Sequence, residues 1–64
     1  MSTIGTHAIK VRWPDMKRWE FLTPDGGCSN LRVHAATSSH ARCEYLAAKI
    51  EAENGGVQTR VVEL

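Results

Sequence analysis

The middle of the 64-residue chain carries four side chains of the types that bind metal ions or act as nucleophiles: Cys28, His34, His40 and Cys43. Their spacing, C-x5-H-x5-H-x2-C, matches no common zinc motif, in which close pairs of ligands hold the metal. Cys43 falls on the apolar stripe of a predicted helix and His34 on the open side of a predicted strand, so these side chains diverge. We therefore predict no metal and no other cofactor.

The same residues offer one candidate for covalent catalysis. His40 precedes Cys43 by about one helical turn, a separation that suits a Cys–His pair. No third residue orients the histidine, no oxyanion donor is indicated, and the seven carboxylates form no recognisable acid–base pair. Gly26-Gly27 and Gly55-Gly56 fit turns and no phosphate-binding loop. The sequence therefore predicts a protein that is not an enzyme and acts by binding.

Length and composition predict one globular domain over residues 1–64, with a flexible N-terminus over residues 1–6. Hydrophobic residues make up 42% and charged residues 23% of the chain, and the formal net charge is +1. A chain of this size buries only about 60% of its unfolded surface, which leaves little room for a deep pocket. Without a signal peptide, a membrane span or a disulfide scaffold, the expected compartment is the cytoplasm, with both cysteines reduced.

Alternating apolar and polar residues predict three strands, over residues 7–13, 17–23 and about 29–35. Pro14-Asp15 and the run from Thr23 to Gly27 supply the turns between them. The period then becomes helical from Ser39 to Asn54, with a hydroxyl among residues 37–39 as the N-cap and Asn54-Gly55-Gly56 as the end. Residues 57–63 predict a final strand of ambiguous facing, which a bulge near Val61 would reconcile.

These elements predict an α+β fold: a two-layer sandwich with the order βββαβ, in which one helix covers one face of a four-stranded, mostly antiparallel sheet. The last strand is expected to run parallel to the first and third, through a right-handed crossover. The strand order 4-1-2-3 is preferred, and 1-2-3-4 stays open. The predicted core is Ile9, Val11, Trp13, Trp19, Phe21, Leu31, Val33, Cys43, Leu46, Ala47, Ile50, Val57 and Val61.

The uncovered face of this sheet is predicted to be basic, with Glu20 as its one carboxylate. Such a face suits nucleic-acid phosphates or an acidic protein surface, although an antiparallel sheet also exposes polar residues for solvation alone. Because the large aromatic residues are assigned to the core, base stacking is disfavoured and phosphate contact remains open. The predicted contact residues are Lys10, Arg12, Arg18, Arg32, His34 and Arg60.

A second candidate surface lies on the outer side of the helix. Tyr45 stands there in a row with Ala41, Ala48 and Ala52, and tyrosine among small residues is a common protein-contact anchor, although alanines also suit an ordinary exposed helix. A homodimer through this row is equally allowed. The predicted contact residues of this face are Arg42, Glu44, Tyr45, Lys49 and Glu51.

The helix and last strand resemble very small phage and prophage proteins of the anti-CRISPR type. The resemblance covers about the last 27 residues and rests on SSHARCEYLAA at 38–48, EAENGG at 51–56 and VVEL at 61–64. It implies a protein that binds a CRISPR effector complex in the host cytoplasm and blocks target DNA recognition or nuclease recruitment. This inhibitor is the leading hypothesis, a nucleic-acid-binding accessory module is the alternative, and a homodimeric interaction protein is the third.

Overall fold

The computed structural model describes residues 5–64, and Met1 to Ile4 lie outside the described part. The predicted flexibility of residues 1–6 therefore falls mostly on residues that are not described; at Thr6, the backbone carbonyl accepts a hydrogen bond of 2.9 Å from the N–H of Leu64. The elements are the strands β1 (His7–Arg12), β2 (Glu20–Leu22) and β3 (Cys28–Ser29), a 3-10 turn (Arg32–His34), strand β4 (Thr37–Ser38), helix α1 (His40–Glu53) and strand β5 (Gln58–Glu63).

The fold is α+β, with α1 packed against an antiparallel sheet built around β1. Strand β5 pairs with β1 over its whole length, from His7 opposite Glu63 to Arg12 opposite Gln58. The other edge of β1 is shared by β2 and β4, and β3 extends the sheet beyond β2. The preference for a last strand beside the first is confirmed. No helix within residues 5–64 is long and apolar enough to cross a membrane.

The prediction that the last strand runs parallel to the first is wrong, because β5 is antiparallel to β1. The reason lies before the helix. Strand β4 is itself antiparallel to β1, so it brings the chain to α1 from the opposite direction to a full third strand. The pairing of β5 is also continuous, with Ile9 opposite Val61 and Ala8 opposite Val62, so the suggested bulge near Val61 is not formed.

The predicted third strand over residues 29–35 forms only at Cys28–Ser29 and then gives way to the 3-10 turn. The hydroxyl of Ser29 accepts the N–H of Leu31 at 3.1 Å and lies 3.0 Å from Nδ1 of His34. These local bonds compete with a strand ladder for the same groups. Leu31 and Val33 are consequently 51% and 83% exposed, and their assignment to the core is wrong.

The core lies between α1 and one face of the sheet. Its buried members are Ile9, Val11, Cys43, Ala47 and Val57, with Trp13, Leu22, Leu46, Ile50 and Val61 packed against them. Ala8, which lies between β4 and β5, is also fully buried.

Phe21 and Trp19 are not part of this core, which corrects the assignment of the second strand. Phe21 lies directly opposite Lys10, and Glu20 directly opposite Val11. Directly opposed residues share a face, so Phe21 lies on the uncovered face, whereas Glu20 and Leu22 lie on the core side. A shift of one residue exchanges the two faces of a strand, and here Phe21 and Glu20 each lie on the face opposite to the predicted one.

The predicted helix is confirmed within one residue at each end. The Ser39 hydroxyl caps its first turn by accepting the N–H of Arg42 at 3.2 Å. The N–H and side-chain amide of Asn54 both donate to the carbonyl of Ile50 at 3.0 Å. Near its end, the carboxylate of Glu51 accepts the hydroxyl of Thr59 and, at 3.0 Å, its backbone N–H, which ties α1 to β5.

Candidate nucleic-acid interface

A row of three side chains crosses the sheet on the face that α1 does not cover. Phe21 of β2 lies opposite Lys10 of β1, and Lys10 lies opposite Arg60 of β5. Lys10 pairs with both neighbours, so β2 and β5 occupy opposite edges of β1. Directly opposed side chains on one face have Cβ atoms about 4.5–5.5 Å apart, which makes the three residues lateral neighbours.

Each of the two cations in this row lies against an aromatic ring. Nζ of Lys10 is 5.1 Å from the ring centroid of Phe21, and Cζ of Arg60 is 4.9 Å from a ring centroid of Trp19. The side chains of Arg60 and Trp19, which come from opposite sides of β1, therefore meet on this face. An exposed cation–aromatic contact contributes about 0.5–1 kcal/mol, which offsets the repulsion of two like charges placed opposite each other.

The face lacks the one carboxylate that the sequence assigns to it. Glu20, the one carboxylate assigned to it, lies on the core side instead. Arg12 follows Lys10 by two residues on β1 and therefore shares its face. Within residues 5–64 the one close contact between a basic side chain and a carboxylate is between His40 and Glu44, at 3.4 Å, so no carboxylate is in direct contact with the cations of the face.

The other predicted contact residues of the sheet lie away from this row. Arg18 is exposed in the segment between β1 and β2, and Arg32 and His34 are exposed on the 3-10 turn. The structure thus brings together Lys10, Arg12 and Arg60. We call these three cations together with Phe21 and Trp19 the cation–aromatic face.

The outer side of α1 keeps only part of its predicted contact surface. Tyr45 is 60% exposed, and the alanines of its row are exposed as well. Arg42 and Lys49 are exposed, and Glu44 is engaged with His40. Glu51 is bound to Thr59 of β5 and so belongs to the packing of α1 on the sheet.

The candidate metal and nucleophilic residues lie in different surroundings. Both cysteines are free thiols. Cys28 is exposed, whereas Cys43 lies on the buried side of α1, and burial raises the pKa of its thiol. His34 is bonded to Ser29, and His40 lies against the ring of His7, with centroids 4.9 Å apart. In the described part of the chain no three His, Cys, Asp or Glu residues gather around one point.

The alternating pattern of residues 17–23 separates two faces but does not show which of them meets the core, so the sequence assigned Trp19 and Phe21 to the wrong face. The available signal was the position of Leu22, since an alternating strand that buries Leu22 must turn Phe21 outward. Comparison with known protein families, curated proteins and solved structures finds no match. The cation–aromatic face and the outer side of α1 are therefore the two surfaces from which a function can be inferred.

Proposed function

We propose that the protein binds nucleic acid through the cation–aromatic face. The observation that carries this proposal is the row of Phe21, Lys10 and Arg60, with two opposed cations held against rings and no carboxylate of the described residues in direct contact with them. Like charges placed together lose repulsion when an anion binds between them, and phosphate is the anion that nucleic acids repeat along their length.

In this function the three cations contact the phosphate backbone. Each phosphate that they neutralise releases counterions, so the binding constant falls as salt rises. Three contacts predict a slope of log K against log[salt] of about −2 on single strands, at about −0.7 per contact. Strands of the sheet hold Lys10, Arg12 and Arg60 in place, so little order needs to be gained on binding.

The test is a fluorescence-anisotropy titration of labelled oligonucleotides at about 50 mM and about 200 mM salt. We expect Arg60→Gln to weaken binding and to reduce the salt slope by about 0.7. Arg32→Gln removes the same charge from the exposed 3-10 turn, away from the face, and should leave the slope unchanged. Equal effects of the two variants would contradict the assigned face, and no binding at the lower salt concentration would contradict the function itself.

We propose, as a second candidate, stoichiometric binding of a protein partner through the outer side of α1, as the anti-CRISPR resemblance implies. Its support is the 60% exposure of Tyr45 in a row of exposed alanines. Purified CRISPR effector complexes of several types should then co-elute with the protein and lose target cleavage, and Tyr45→Arg should abolish both effects. Failure to bind any complex of the panel would remove this candidate.

A homodimer through the same row is the remaining alternative for this face. Sedimentation at increasing protein concentration should then show a dimer that Tyr45→Arg converts to a monomer. A wild-type protein that stays monomeric throughout would contradict it. Because the sheet face is on the other side of the molecule, Tyr45→Arg should leave oligonucleotide binding unchanged in either case.

A further inference from the structure

We propose that the cation–aromatic face selects single-stranded over duplex nucleic acid, with unpaired bases stacking at Phe21 and Trp19 while the neighbouring cations contact phosphates. This inference rests on the proposed nucleic-acid-binding function and specifies its substrate class. It depends on three properties of the face: where the rings lie, how far apart they are, and what stands beside each ring.

The two rings are placed where a ligand can reach them. Phe21 and Trp19 are half-buried, lie outside the core cluster, and belong to the face that α1 leaves uncovered. Aromatic rings on an open sheet are the platforms on which unpaired bases stack, because every base has a π-face. In a duplex those faces are covered by neighbouring base pairs, so the rings offer nothing to a double helix.

The positions of the two aromatic residues along the chain also favour a single strand. Residues 19 and 21 are two positions apart, so their Cα atoms are separated by about 6.6 Å where the backbone is extended. Successive bases on one strand of a duplex rise by about 3.4 Å. Two neighbouring bases that stack on side chains attached this far apart are expected to separate from one another. A flexible single strand meets this requirement easily, whereas a duplex must first unpair.

Each ring has its own cation, so one nucleotide can meet both. Lys10 lies against Phe21 and Arg60 against Trp19, at 5.1 and 4.9 Å from the ring centroids. A base that stacks on the uncovered part of a ring, or on the guanidinium plane of Arg60, brings its phosphate close to the adjacent cation. Stacking and charge neutralisation then occur at the same positions.

The experiment uses Trp19 as its own reporter. The chain has two tryptophans, so Trp13→Phe leaves Trp19 as the single indole. This protein is titrated with an oligothymidylate of about 12 nucleotides, within the size range that one small single-strand-binding domain covers, and with a duplex of equal phosphate number. Anisotropy gives the affinities for both ligands, and indole fluorescence reports contact at Trp19. Circular dichroism and urea midpoints confirm that each variant is folded.

We expect tighter binding of the single strand, accompanied by quenching of Trp19 fluorescence. Phe21→Leu, which keeps an apolar side chain but removes the ring, should weaken single-strand binding by about 5-fold to 140-fold and leave duplex binding nearly unchanged. Trp19→Leu, made in the otherwise wild-type chain and followed by anisotropy, should do the same. Val33→Ser, at the exposed 3-10 turn, is the control that should change neither.

Equal affinity for single strand and duplex, or full single-strand affinity in both ring variants, would overturn the inference while leaving the proposed nucleic-acid binding intact. Binding of neither ligand at about 50 mM salt would overturn the proposed function together with the inference. The two failures are thus distinct, because the first retains salt-dependent binding that Arg60→Gln weakens and the second shows none.

Discussion

Replacing Lys10 with glutamine tests whether the cation–aromatic face is built for binding or for stability. Lys10 contributes two opposing terms to the free energy of unfolding. Its contact with the Phe21 ring stabilises the fold by about 0.5–1 kcal/mol, and its position opposite Arg60 costs about 0.2–1 kcal/mol. Lys10→Gln removes both, so we expect the free energy of unfolding to change by no more than about 0.8 kcal/mol.

Nucleic-acid binding should respond very differently to the same change. Loss of one phosphate contact reduces the salt slope by about 0.7 and lowers the binding constant about tenfold at about 50 mM salt. The two quantities are measured by urea denaturation and by anisotropy titration of a single-stranded oligonucleotide. Lys17→Gln, an exposed residue outside the strands, is the matched control and should alter neither.

A binding role for Lys10 would be refuted if Lys10→Gln lowers the free energy of unfolding by more than about 1.5 kcal/mol and leaves the binding constant unchanged. Lys10 would then be a structural residue that holds Phe21 in place. A salt series adds a second check on the stability term. Repulsion between Lys10 and Arg60 is screened as the Debye length falls from about 10 Å at 0.1 M to about 3 Å at 1 M, so Lys10→Gln should gain stability relative to wild type mainly at low salt.

Three further changes probe the scaffold. Gly56 has φ +85°, and a Cβ added there would lie 2.9 Å from the ring of Pro14. Gly56→Ala should therefore lower the free energy of unfolding by about 1 kcal/mol or more, measured by urea denaturation. Gly55→Ala is the control, because a Cβ added at Gly55 meets nothing within 4 Å, and it should not lower the free energy of unfolding. Ser39→Ala should cost about 1 kcal/mol through the lost helix cap, and Ser39→Asp should restore most of it, as thermal melts would show. A thiol reagent should modify exposed Cys28 rapidly and buried Cys43 only on unfolding; two rapid thiols would contradict the packing of α1.

The helix was predictable because its signals are local. Ser39 as the cap, the stripe of Cys43 and Ala47, and Asn54 at the end all lie within one continuous segment, and each needs only its neighbours in sequence. The central strand β1 was predictable for the same reason, since Ile9 and Val11 alternate with Lys10 in an uninterrupted run.

The face of β2 and the fate of the third strand depend on contacts that a local pattern does not contain. Phe21 faces outward because its register with β1 places it opposite Lys10, and register is a property of two segments. Leu31 and Val33 alternate as a strand would, yet the Ser29 hydroxyl captures the N–H of Leu31 and closes a turn instead. The cationic half of the candidate site was therefore visible in the sequence, and its aromatic half was not.

The hydrogen bonds between Glu51 and Thr59 also block part of an exposed edge of the sheet. The N–H of Leu64 donates toward β1, and that of Thr59 donates to Glu51, so alternate residues of β5 direct their backbone groups outward along an edge that no described strand covers. Exposed edges of this kind template aggregation, and a carboxylate on the Thr59 N–H occupies a position that a foreign strand would use. Glu51 reaches that position only once α1 has docked. A chain with β5 paired and the helix detached would therefore present this edge position to other chains, and docking of α1 covers it.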